Sequence, residues 1–354
     1  MIASIKDKIA TARNDLSSFI SELSVILSSA PVVQESAPIV NNKGGSEPSK
    51  VIISKTQSWN NVPSIDENAE DPTFNDDHIY ALQLMLSNFK KRGKLGYDFV
   101  NEKLRPYLTA FMYAANLNKL NLLAVGPGSY ELANAVSLSN YGKTVSTYNL
   151  GNEFDSSMIS AVAEDSSDIV FISNMFGKGW SDALPQLLSS VDKQIIFNHP
   201  YVEDLIAEPK GLYNYAYPLL TEFFVTDIPN INKFSPAAKS EEFQDFKSEY
   251  NDNFIDSDKN FIEKDLLGSF GLSSLVLNKI DKVISDANDL IENSNTLGDL
   301  VEKDHIEYDL QFLFAVLPFY KIMGKTNLIK LSEPRKEFLS KSVCNIIDNI
   351  ISSD

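Results

Sequence analysis

Two short stretches place chemically capable residues just after apolar runs. The first is "LNLLAVGPGSYELANAV", residues 120 to 136, in which Gly126-Pro127-Gly128-Ser129 follows an apolar segment and precedes a helical pattern. Glycine lets a backbone approach a ligand closely, and the first N–H groups of the following helix can receive an anion or a polar group. The same turn can also serve only to join strand to helix, with Ser129 as the N-cap. The second is "IIFNHPY", which ends in Asn198-His199-Pro200-Tyr201. Here His199 is a candidate general base. A packed loop histidine is the plainer reading of His199.

Other chemistries are excluded by spacing. A dinucleotide fingerprint needs a third glycine where this chain has Glu131, and no Gly-Lys-Ser/Thr follows to make a P-loop. His78, His199 and His305 are far apart and form no H-x-x-x-H pair, so a histidine metal site is not expected. The stretch from Asp256 begins like a calcium loop but has Phe261 at the glycine position and Leu267 at the terminal glutamate position. Cys344 is the single cysteine, so no intramolecular disulfide or multi-thiolate zinc cluster can form. It falls in an apolar-periodic helix and reads as core.

The residues "LLAVGPGSYELANAVS" resemble motif I of class I S-adenosylmethionine-dependent methyltransferases. The resemblance implies that Gly126, Gly128 and Ser129 line the S-adenosylmethionine cofactor. It also implies that Asn149, at the end of "TVSTYNL", stands where the family keeps an acidic ribose ligand, with Glu153 and Asp155 beyond. "SDIVFISNMFG" is similar to the family's fourth strand, matched by Asp168, Asn174 and Phe176. Asn198-His199-Pro200-Tyr201 is similar to its Asn-Pro-Pro-Tyr motif. The candidate transfer residues are thus Asn174 or Asn198, with His199 or Tyr201. The implied activity is methyl transfer to a nucleic acid or nucleotide. The alternative is a non-enzymatic assembly or scaffold protein, for example viral, on a degenerate form of the same fold.

The elements that would position these residues follow from hydrophobic periodicity. Strands are expected at 121–125, over "TVSTYNL", "DIVFISNMF" and "KQIIFNHPY", and again over 221–228. Helices lie between them: one closed by Gly142, one over "EFDSSMISAVAED", and one capped by Ser181. Strands alternating with helices predict a mostly parallel, Rossmann-like α/β sheet. Two helices precede it, over "DDHIYALQLMLSNF", with Asp76 or Asp77 as N-cap, and "YDFVNEKLRPYLTAFMYAAN". Helices at about 241–250, 259–268, 273–293, 306–323 and 334–352 follow it.

Outside this 76–240 domain the chain changes character. Residues 1–30 hold Ile2, Ile5, Ile9, Ala12, Leu16, Phe19, Leu23 and Ile26 at alternating spacings of three and four. That is an a/d seam, the pattern of a coiled-coil-like helix that self-associates or takes a partner helix, with docking onto its own domain or onto a membrane surface as the lesser readings. Residues 31–75 are rich in Pro, Gly, Ser, Asn and acids and read as a flexible linker. Within it, 51–59 could form a docking strand. The net charge is −17, concentrated in the 241–354 section: residues 241–310 hold 18 acids against 6 lysines, a net of −12. Such a surface repels phosphate backbones. The exception is "KKRGK", where Lys90, Lys91, Arg92 and Lys94 read as a solvated loop, with phosphate or nucleic-acid contact as the minority reading. No run of about eighteen apolar residues occurs, so no membrane span is expected, and the start lacks a secretory pattern. An intracellular, cytoplasmic protein is the expectation.

Overall fold

The computed structural model describes residues 77–151, 154–175, 180–237, 267–268 and 271–352. The seam at 1–30, the linker, the 51–59 stretch, Asp76, Glu153, Phe176, the helix expected at 241–250, all but residues 267–268 of the one expected at 259–268, and most of the calcium-like stretch lie outside the described residues.

The body is an α/β fold on a five-stranded, all-parallel sheet. The strands are β1 (Leu122–Val125), β2 (Ser146–Asn149), β3 (Ile169–Ser173), β4 (Gln194–His199) and β5 (Tyr217–Leu220), in the order β2-β3-β4-β1-β5. β1 is buried along its whole length and β3 nearly so, which is why they read as continuous apolar runs. The fifth strand falls earlier than expected. It is "YPLL", not 221–228, where a 3-10 turn at Thr221–Phe223 replaces it. Pro218 has no N–H to give to a ladder, and it is tolerated because β5 lies at the sheet edge.

The helices preceding the sheet are α1 (Asp77–Phe89) and α2 (Arg105–Leu117). α2 is shorter than its apolar pattern suggests, because Pro106 sets its first turn and residues 97–104 are irregular. Helix α3 (Ser129–Tyr141) follows β1 and ends at left-handed Gly142. It crosses β4 and β3 to reach β2, and α1 packs on it. The connections β2-β3, β3-β4 and β4-β5 run the other way. The right-handed crossover rule therefore sends their helices to the opposite face. There α4 (Ser156–Glu164, capped by Asp155) packs against α5 (Leu184–Ser189). α5 starts from Ala183 after a 3-10 turn at Ser181–Ala183, so Ser181 is not its cap.

The C-terminal section is helical. α6 (Ser274–Asn293) is capped by Ser273 and packs along α2. The apolar stretch expected as one helix over 306–323 is broken. α7 (Ile306–Gln311) passes into a π-helical turn at Phe312–Val316, a 3-10 turn at Leu317–Phe319, and α8 (Tyr320–Met323). Pro318 lacks the N–H a continuous ladder would need. The chain ends in α9 (Lys325–Ser332) and α10 (Lys341–Ser352). Phe314 of the π-turn stacks between Phe111 of α2, at 3.9 Å, and Phe224, at 5.4 Å, joining the C-terminal section to the sheet layer. In α7 Asp309 is fully buried. It accepts from Tyr107 Oη at 2.6 Å and from Ser340 N at 2.9 Å.

Candidate functional site at the carboxyl edge of the sheet

β1 and β4 are neighbours whose connections leave in opposite directions, the arrangement that opens a crevice at the carboxyl edge of an α/β sheet. The sequence candidates divide into two groups along this edge. Gly126, Gly128, Ser129, Asn198, His199 and Tyr201 lie at the β1/β4 ends, and Gly126 N donates to His199 O at 3.0 Å. Asn149 and Asn174 lie at the β2/β3 ends and bond each other, Asn174 Nδ2 to Asn149 Oδ1, at 2.5 Å. β3 and β4 stand between Asn149 and β1, about 14 Å at the usual strand spacing. The edge brings Asn198 and His199 to the glycine turn and leaves Asn149 and Asn174 apart from it.

The turn itself is tightly made. Gly126 and Gly128 have φ of +106° and +77°, conformations that suit glycine. Gly128 is the residue before the helix, and Leu132 N bonds its carbonyl at 2.8 Å. Ser129 is therefore not the N-cap. Its hydroxyl points back along the turn, 2.8 Å from Gly126 O and 3.3 Å from Ala124 O, and ties helix to strand.

The chain's own residues crowd the Cβ side of both glycines, while Pro127 between them is exposed. A Cβ on Gly126 would fall 3.0 Å from Thr221 Oγ1, and one on Gly128 would fall 3.0 Å from Val225 Cγ1 and 3.2 Å from Phe99. Thr221 Oγ1 donates to Val125 O at 2.9 Å. The covering segment is pinned on its far side too. Asn101 N donates to Phe224 O at 2.8 Å, Thr226 N to Phe99 O at 2.9 Å, and Tyr320 Oη to Glu222 at 3.3 Å. Residues 221–226 were legible in the sequence only as a strand candidate, and nothing local marks them as a cover for a turn 95 residues earlier.

His199 is buried, with Nε2 3.4 Å from Glu208 Oε1. Burial behind the strand end suits a packed histidine paired to a carboxylate more than a base that meets substrate. Tyr201 is 62% exposed and Asn198 half-buried. Beside the turn, burial raises the Glu131 carboxyl above its ordinary range. Among the described residues no cluster of three or more His, Cys, Asp or Glu could hold a metal ion, and no helix is long and apolar enough to cross a membrane. Comparison with protein families, with curated proteins and with solved structures found no match.

The Cβ sides of the two glycines face the chain's own side chains, and Asn149, at the position the resemblance gives to the ribose, is three strands away. At both glycines a side chain would have to share its place with those of Thr221, Val225 and Phe99.

Proposed function

We propose that this chain is an assembly or scaffold protein built on a Rossmann-like α/β body, and that its N-terminal heptad seam carries self-association. One observation supports this above others: the Cβ side of Gly126 and Gly128 is taken by Thr221, Val225 and Phe99. A fold of this class does not itself imply catalysis. The seam from Ile2 to Ile26 has the spacing of an oligomerising helix, and the acidic C-terminal section keeps such an assembly soluble through like-charge repulsion. Light scattering on the full chain and on a chain lacking residues 1–30 tests this reading. It expects an oligomer for the first and a monomer for the second. Equal masses would remove it.

A second reading keeps the methyltransferase resemblance. It is favoured by the adjacency of Asn198-His199-Pro200-Tyr201 to the glycine turn, through the β1/β4 pairing. In that case residues 221–226 would have to swing away before S-adenosylmethionine could enter. Saturable binding of S-adenosylmethionine, lost in Gly128→Val protein that remains folded, would establish it.

A further inference from the structure

A second region of the molecule has the makings of a ligand site. Residues 90–98 form a hairpin-like loop: Gly93 N donates to Tyr97 O at 2.8 Å, Phe99 N to Lys91 O at 2.9 Å, and Arg92 and Asp98 form an antiparallel bridge. The loop is anchored from beneath by buried Asp227, whose Oδ2 accepts from Leu95 N at 2.7 Å and Tyr97 N at 3.2 Å. Gly93 is packed so closely on that carboxylate that an added Cβ would fall 2.1 Å from Asp227 Cγ. The loop backbone is therefore held, while the Tyr97 ring is 66% exposed.

This loop is one wall of a cavity of about 590 Å³. The opposite wall is a face of α10, where Ser342, Asn345 and Asn349 share one side at helical spacing. Arg92 and Lys103 line the cavity, both exposed. Lys90, Lys94 and Lys233 lie exposed around the same loop, with Lys233 Nζ bonded to Arg92 O at 2.9 Å. The acids nearby are largely committed. Asp98 pairs with buried Arg105 at 2.6 Å, and Asp227 is taken up by the loop amides. Among the described acids that line the cavity, only Glu102, exposed, lacks such a partner. Within the lining Arg92 and Lys103 balance Asp98 and Glu102, and Lys90, Lys94 and Lys233 around the loop add local positive charge on a chain of net charge −17.

We infer that this groove binds single-stranded nucleic acid, with a base stacked on Tyr97, phosphates met by Arg92 and Lys103, and base edges by Asn345 and Asn349. Cations along a groove with an exposed aromatic ring are the elements of sequence-tolerant single-strand binding. The volume lies within the roughly 300–1,000 Å³ typical of small-ligand sites, enough for a nucleotide unit. Duplex DNA is a poorer fit, because the acidic remainder of the surface would meet its second strand. The inference stands apart from the glycine turn and from the N-terminal seam.

Fluorescence anisotropy on the full chain tests it, using short labelled single-stranded RNA, single-stranded DNA and duplex DNA. Saturable binding of either single strand, tighter than duplex and weakening with salt, is expected, and the two single-strand arms show which sugar is preferred. Arg92→Gln with Lys103→Gln should weaken binding about tenfold or more. Tyr97→Ala should weaken it about fivefold or more, whereas Lys143→Gln, exposed on another loop, should leave it unchanged. All these side chains are exposed, so the fold should survive, as circular dichroism would check. Absence of binding by the unmodified chain would overturn the proposal. So would binding indifferent to Tyr97 and to the two cations, or equal for duplex and single strand.

Discussion

Thr221 stands where a side chain on Gly126 would have to go. Its Oγ1 lies 3.0 Å from the Cβ position and donates to Val125 O at 2.9 Å, so the residue after β5 closes the end of β1. A Gly-Pro-Gly turn of this kind is commonly read as open to a ligand. Here the close approach that glycine permits is made by the next strand's exit segment.

It follows that Gly128 matters to stability whether or not any ligand is present. Gly128→Ala combines a left-handed backbone with a Cβ 3.0 Å from Val225. The conformation alone costs about 1–2 kcal/mol for a residue with a side chain, and crowding adds about 1 kcal/mol or more. Urea denaturation should show a loss of about 2 kcal/mol or more. An unchanged midpoint would mean that the turn is looser than described.

The loop beneath Tyr97 depends on a single carboxylate. Asp227→Ala removes the acceptor for Leu95 N and Tyr97 N, a loss of about 1–3 kcal/mol for partly buried donors. Amide hydrogen exchange should quicken at residues 93–98 and stay unchanged in β1 and β4. Uniform quickening across the sheet would argue against so local a role.

Asp309 holds α2 to the loop before α10. Burial raises its carboxyl above the usual range, while the hydroxyl of Tyr107 and the amide and side chain of Ser340 favour the charged form. Asp309→Ala leaves two buried donors without an acceptor and should cost about 2 kcal/mol or more. Tyr107→Phe, which removes one donor and keeps the shape, should cost less. Thermal unfolding of both variants checks the order, and the reverse order would contradict the assignment.

Acid sensitivity should trace in part to Asp165. Burial alone would raise this carboxyl, but bonds from Ser167, Tyr148 and Ser146 outweigh it and hold the group down at about 2, against an ordinary 3.8. A depressed folded-state value means stability that is present above 3.8 and is lost as pH falls toward 2. Melting temperature should therefore fall between pH 4 and pH 2 less steeply in Asp165→Asn than in the unmodified chain. Identical slopes would remove Asp165 from the account.

β1, β3 and β4 were readable as short apolar runs bounded by turn residues, and β2 as a short β-branched and aromatic stretch between helices, all too short for a helix. β5 was not, since Pro218 and the surrounding aromatics disguise it as irregular chain. Sheet order was not readable either. Periodicity reports which face is buried, not which strand is adjacent, so the pairing of β1 with β4, and the distance of Asn149 from the turn, emerge only in three dimensions. The anchoring of the basic loop by Asp227 is hidden for the same reason, because it joins residues more than 130 positions apart. The KKRGK run was visible as charge, but the cavity beside it needs α10, which lies some 250 residues downstream.

The most direct test of the central claim is calorimetric titration of the folded full chain with S-adenosylmethionine, with NADH as control. A turn closed by Thr221 and Val225 predicts no saturable heat with either ligand. Saturable micromolar binding of S-adenosylmethionine alone would contradict it and would mean that residues 221–226 open to uncover a cofactor site.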